Sequence, residues 1–138
     1  MNGEYIMKSI HHVCIQTEKY EESLNFYTNI LGFELIHETE NVHTRGYNTW
    51  LKLGDFMIEL QTNKEGEKLK EYTSSSAGIV HMCFKVDDIK EEYNRIKSLG
   101  YDNFKRKNSE EIYKVENGYL FKIIAPEGTK IEFRDSEI

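Results

Sequence analysis

A chain of 138 residues, 38% hydrophobic and 12% aromatic, is long enough to bury one sizeable core. A net charge of −6 with no dense Lys/Arg block argues against a nucleic-acid surface, and apolar runs of only a few residues exclude a membrane-spanning helix. The opening "MNGEYIMKS" lacks the apolar stretch of a secretory leader, and two cysteines are too few for a disulfide framework, so a reduced, cytoplasmic protein is expected.

"KSIHHVCIQ" (8–16) alternates apolar and polar residues and predicts the first strand. A helix follows over 18–31, where Tyr20, Leu24, Tyr27 and Leu31 recur at helical spacing, and Gly32 suits the position just past its end. Three strands fit "FELIHET", "YNTWLKL" and "FMIELQT". Residues 63–77, "NKEGEKLKEYTSSSA", are polar and serine-rich and read as a linker with at most one helical turn. "IVHMCFKV" (79–86) is the next strand, then a helix over 88–99 with Ile89, Tyr93 and Ile96 on one face. Asp88 and Glu91 have capping-box spacing, and Gly100 ends the helix. "YDNFKRK", "YLFKIIA" and "TKIEFRD" supply the last three strands. His37 and His43 fall in a hairpin region and are expected at the surface.

The chain therefore repeats itself. His12 aligns with His81 and Cys14 with Cys83 at an offset of 69; Gly32 aligns with Gly100 at 68 and Glu59 with Glu132 at 73. Each half reads as strand, helix, then three strands, which predicts an α+β fold of two paired βαβββ modules. Module one spans 8–62, the linker 63–77 and module two 78–134 of a single domain.

Side chains at i and i+2 of a strand share a face. Val80, Met82, Phe84 and Val86 make a continuous apolar face that must lie under the helix, so His81, Cys83 and Lys85 point away from it. The same parity puts Ile58 and Leu60, or Ile131 and Phe133, against the helix, with Glu59 and Glu132 opposed. His12 likewise opposes Val13 and Ile15, and His11 is the odd one out. His12, Glu59, His81 and Glu132 thus project from the non-helical sides of their strands. Converging, they would make a two-His, two-Glu site for a borderline divalent ion such as zinc, nickel or cobalt, with positions left for water or substrate. Taken singly, a strand histidine is usually a hydrogen-bonded structural residue and an outward glutamate is usually solvated. Their matched places in both halves favour the metal set. A rival set, His12, Cys14, His81 and Cys83, would be a structural zinc site, but such sites rescue domains too small for a core, and a free cysteine usually packs as a small apolar residue.

With "IHHVCIQT", "SLNFYTNILGFEL", "GDFMIEL", "GIVHMCFKVDDI" and "APEGTKIEF", the chain resembles the vicinal-oxygen-chelate superfamily of glyoxalase, bleomycin-resistance and extradiol-dioxygenase proteins over about residues 8–134. The resemblance implies modules curled into a mixed-sheet half-barrel around a metal cleft, with ligands at His12, Glu59, His81 and Glu132. It also implies a homodimer, in which the cleft can draw on both chains. Glu59 completes the His/Glu/His/Glu set of glyoxalase I (lactoylglutathione lyase). Methylmalonyl-CoA epimerase is also close, through "GIVHMCFKVDDI" and the "GEKLKEYTSSSAGIVH" approach to it. Both enzymes remove a proton beside a carbonyl whose developing charge the metal stabilises, with a neighbouring carboxylate as base. Glu132 is the expected base and Glu59 the other candidate. Glyoxalase I commonly carries an arginine four residues after its first ligand, where this chain has Gln16, which cannot make a charged bidentate contact. Lys85, the counterpart in the second half, shares its orientation with Lys130 and Arg134, and this cationic rim suggests an anionic substrate; Gln16, Lys85 and Arg134 are the candidate substrate contacts. The leading expectation is a metal-dependent lyase or isomerase acting on an α-oxo thiol adduct. The alternatives are an acyl-CoA epimerase and a metal-free protein that sequesters a small molecule such as an antibiotic.

Overall fold

A computed structural model describes residues 7–138; the leader-free reading of residues 1–6 lies outside the described residues. The first half forms β1 (Val13–Thr17), α1 (Tyr20–Asn25), β2 (Glu34–Val42), β3 (Arg45–Leu53) and β4 (Phe56–Thr62). The second forms β5 (Met82–Lys85), α2 (Ile89–Ser98), β6 (Phe104–Lys105), β7 (Tyr113–Val115), β8 (Gly118–Ile124) and β9 (Lys130–Arg134). Among the described residues the architecture is α+β, as expected, with two mixed sheets and no closed barrel.

In the first sheet the order is β1-β4-β3-β2, with β1 parallel to β4 and the other pairs antiparallel. The second sheet repeats this as β5-β9-β8-β6, with β7 also on β8. Parallel pairing of first and last strands follows from the helix crossing between them. β1 and β5 are therefore the corresponding edge strands of the two sheets.

Several boundaries move from the sequence reading. Both leading strands start late, at Val13 and Met82, so His12 and His81 lie in the irregular chain just ahead of them. "YDNFKRK" contributes only Phe104–Lys105, and Tyr113–Val115 is a strand that periodicity missed because it is three residues long. The linker forms no helix and is tied down instead, with the Leu69 amide donating to Glu18 (2.9 Å) and the Tyr72 hydroxyl to the Val80 carbonyl.

Helix α1 runs into a π-helical turn over Phe26–Ile30, closed by the Leu31 amide on the Phe26 carbonyl at 3.0 Å. Phe26, Tyr27 and Ile30 of this turn are all buried in the core. Gly32 and Gly100 end the two helical segments at φ +89° and +88°, a region that penalises a Cβ. Asp88 caps α2 by accepting from the Glu91 amide at 3.0 Å.

One hydrophobic cluster contains buried residues from both halves, including Phe26, Leu51, Ile58, Ile96, Phe121 and Ile131. At its margin Phe33 and Phe56 of the first half meet Phe84 of the second, with ring centroids 6.1 and 6.2 Å apart. The helix-facing sides of both sheets thus turn toward this shared core, and their opposite sides turn outward. Among the described residues no helix is long and apolar enough to cross a membrane.

Candidate metal centre

On the outward side of the first sheet, β1 lies in register with β4 so that Cys14 faces Glu59 across the ladder, and Trp50 of β3 faces Glu59 from the other side. His12, two residues before Cys14, brings Nε2 to 3.3 Å from Glu59 Oε1. Its ring rests edge-on against Trp50 with centroids 4.7 Å apart. Its Nδ1 is 2.8 Å from Nδ1 of His11, so one of the two carries the shared proton. The Cys14 thiol is pushed up to about 11, first by burial and then by the charge and hydrogen bonding of Glu59.

The second sheet repeats the arrangement. Cys83 faces Glu132 in register, and His81 brings Nε2 to 3.3 Å from Glu132 Oε1. The surroundings differ. Glu132 is buried, its Oε2 accepts from Arg134 Nε at 2.9 Å and from the Cys83 thiol at 3.4 Å, and Lys122 stands 3.8 Å from Oε1. The Nδ1 of His81 is buried without a hydrogen-bond partner among the described residues. The Cys83 thiol is also pushed up to about 11, by burial first and Glu132 next. Lys130 lies below the ordinary lysine value, from desolvation and from contact with Lys105 and the charge of Lys122.

The donors suit a divalent ion. Two ligands each about 2.1 Å from one ion and at right angles to each other stand roughly 3 Å apart, and both His–Glu pairs have nearly that spacing at 3.3 Å. A pair is nonetheless not a site. Among the described residues no three or more His, Cys, Asp or Glu side chains converge on one point. The four-residue set expected from sequence is therefore not assembled within one chain, and neither is the rival two-Cys, two-His set. The physical reason is the packing of the halves: both sheets turn their helix faces to the common core, which aims the two pairs outward.

The candidate substrate residues are spoken for locally. Gln16 accepts from Arg45 Nη1 at 2.8 Å, Lys85 pairs with Glu137 at 3.6 Å, and Arg134 holds Glu132. Arg45 escaped the sequence reading because strand parity places it with Tyr47 and Thr49 on the helix side. At the hairpin end its side chain instead reaches across to Gln16 and the Thr62 carbonyl (2.7 Å). Its signal was the missing arginine at position 16. Lys105 and Lys122 were also missed, since β6 is too short to declare its alternation. His37 and His43 are exposed, as expected.

A concavity of about 1430 Å³ runs between β1 and β5 and is lined by Cys14, Gln16, His81, Cys83 and part of the linker. Glu59 and Glu132 do not line it, so it is not a cleft centred on the two pairs.

The family model of the Glyoxalase/Bleomycin resistance protein/Dioxygenase superfamily matches residues 9–133. The uncharacterized protein YwkD of Bacillus subtilis is 31% identical over 98 residues, 70% of this chain and 76% of that protein. "Glyoxylase I 4" of Arabidopsis thaliana is 28% identical over 96 residues, 70% of this chain and 54% of that protein. The crystal structure of a glyoxalase family protein from Enterococcus faecalis superposes with a TM-score of 0.72 at 24% identity, covering 94% of this chain and 98% of the other, a likeness of fold.

Proposed function

Since the chain belongs to the Glyoxalase/Bleomycin resistance protein/Dioxygenase superfamily, we propose that it is a divalent-metal-dependent enzyme of glyoxalase type, moving a proton within an α-oxo thiol adduct in a cleft shared by two copies of the chain. The observation that carries this reading is the pair of matched His–Glu contacts, His12–Glu59 and His81–Glu132, each 3.3 Å long and each facing outward. Two ligands from one copy and two from the other would complete the set and leave the ion open to substrate oxygens. Zinc, nickel or cobalt fits such nitrogen and oxygen donors.

The ion, when bound, supplies Lewis-acid stabilisation of the charge that develops on the substrate oxygen. The chain's own residues do the rest. His11 holds the His12 ring through Nδ1 and leaves Nε2 free to ligate. Glu132 is fixed by Arg134 and Cys83, which suits a constant ligand. Glu59 has no Lys or Arg within ion-pair distance among the described residues, so its carboxylate is the freer to take and return the substrate proton. This moves the base from Glu132, the residue favoured by sequence, to Glu59. Trp50 packs edge-on against the His12 ring, with centroids 4.7 Å apart, and helps hold its orientation.

The test is a panel of hemithioacetals, with methylmalonyl-CoA as a comparison arm, assayed in deuterated water with metal-loaded and chelator-stripped protein. The reading expects isomerisation of a hemithioacetal that stops on stripping and returns with zinc, nickel or cobalt. Turnover confined to methylmalonyl-CoA, or turnover indifferent to stripping, contradicts it.

A further inference from the structure

The outward face of the second sheet carries more positive charge than its surroundings neutralise. Lys105 of β6 stands directly opposite Lys122 of β8, and Lys122 stands directly opposite Glu132 of β9. Lys130 and Arg134 flank Glu132 two residues away on either side and so share its face. This concentration occurs in a chain whose net charge is −6. Glu132 is the one carboxylate of the row, and it is already engaged by Arg134 at 2.9 Å and by His81 at 3.3 Å, with Lys122 more distant at 3.8 Å. Neither Lys105 nor Lys130 has a carboxylate within ion-pair distance among the described residues. Like charges set directly across a ladder destabilise a sheet unless an anion lies between them.

We propose that Lys105, Lys122 and Lys130 form an oxyanion subsite beside the His81–Glu132 pair, and that it takes a phosphate- or phosphonate-type group. Three lysines, each a compact point charge, suit a tetrahedral dianion that offers an oxygen in several directions. A planar carboxylate is better matched by the arginine fork, and the arginine here is committed to Glu132. The inference deepens the function proposed above by naming a charged group of the substrate, and it goes beyond the Lys85, Arg134 and Gln16 contacts expected from sequence. Its test needs no metal, so either idea can fail alone.

The full chain, stripped with chelator and held at low salt, is titrated with inorganic phosphate, followed by calorimetry and by backbone amide NMR shifts. Acetate and succinate are titrated in parallel. The subsite predicts saturable phosphate binding with the largest shifts at Lys105, Lys122 and Lys130, tighter than either carboxylate and weakened by added salt. The Lys105→Gln/Lys130→Gln double variant should weaken it at least tenfold, while Lys68→Gln/Lys90→Gln, which removes equal charge elsewhere, should leave it within twofold. Absence of saturable binding, acetate or succinate binding as tightly as phosphate, or equal losses in the two double variants would overturn the proposal. The wild-type titration decides the matter even if the double variant fails to fold.

Discussion

His11 and His12 meet nitrogen to nitrogen at 2.8 Å, and the contact leaves Nε2 of His12 facing Glu59. His81 has no such support, since its Nδ1 is buried without a partner among the described residues. Partners of this kind fix the tautomer and ring angle of a ligating imidazole. His11→Ala should therefore weaken cobalt or zinc binding by about tenfold or more, while His11→Asn, whose amide can still meet Nδ1, should recover much of the loss. A calorimetric metal titration of the three proteins checks this, and equal affinities would remove His11 from the site.

The two glutamates should part company on substitution. On the proposed function Glu132→Gln should cost metal affinity, because Glu132 is the carboxylate held by Arg134 and Cys83. Glu59→Gln should keep more of the metal yet lower the rate of proton exchange by about 10² to 10⁴-fold. Elemental analysis paired with loss of a deuterium label at the substrate carbon separates the effects. The reverse pattern would return the base to Glu132.

Glu127 joins the two halves. Its carboxylate accepts from Ser23 Oγ at 2.7 Å and from the Tyr27 hydroxyl at 2.5 Å, and both donors are fully buried. Burial and the nearby Glu127 hold the Tyr27 phenol well above its ordinary value, so it remains a donor. Glu127→Ala leaves the buried Tyr27 hydroxyl without its acceptor, while Ser23 keeps Thr17 at 2.8 Å, and should cost about 1–3 kcal/mol. Urea denaturation should show a lower midpoint, and an unchanged midpoint would mean that water replaces the carboxylate.

Acid should reveal a second network. Glu111 accepts from Tyr93 and pairs with Lys97 (3.0 Å) and Arg106 (3.1 Å), which together hold its carboxyl down at about 2. Because the folded value lies below the unfolded one, its contribution is complete above the ordinary carboxylate range and is lost as pH falls toward 2. Glu111→Gln should destabilise the protein at pH 7 by about 1 kcal/mol, a magnitude usual for a networked, partly screened group. The gap should close near pH 2. A constant gap across melts from pH 7 to pH 2 would contradict the assigned charge interaction.

How far the sequence carried the reading depends on the kind of physics involved. Duplication and two-residue parity placed His12, Glu59, His81 and Glu132 on the correct sides, even though both histidines lie just ahead of their strands. Parity is local and survives a late strand start. The turning of the two sheets toward one core rests on long-range contacts such as Phe33 with Phe84, which no periodicity records. Hence the sequence could not tell that the His12–Glu59 and His81–Glu132 pairs do not converge within one chain. Arg45 was hidden because its long side chain bends around a strand end, against its backbone direction. The π-helical turn was hidden because Tyr20, Leu24, Tyr27 and Leu31 fit an ordinary helix equally well.

The shared cleft is tested most directly by mixing. His12→Ala and His81→Ala, each inactive as a pure protein, are unfolded together, refolded and assayed with metal. A cleft built from both copies predicts recovery of about one quarter of wild-type activity, since half the random dimers carry one intact site of two. If the mixture stays inactive while wild type treated the same way recovers, the site does not draw its ligands from two chains.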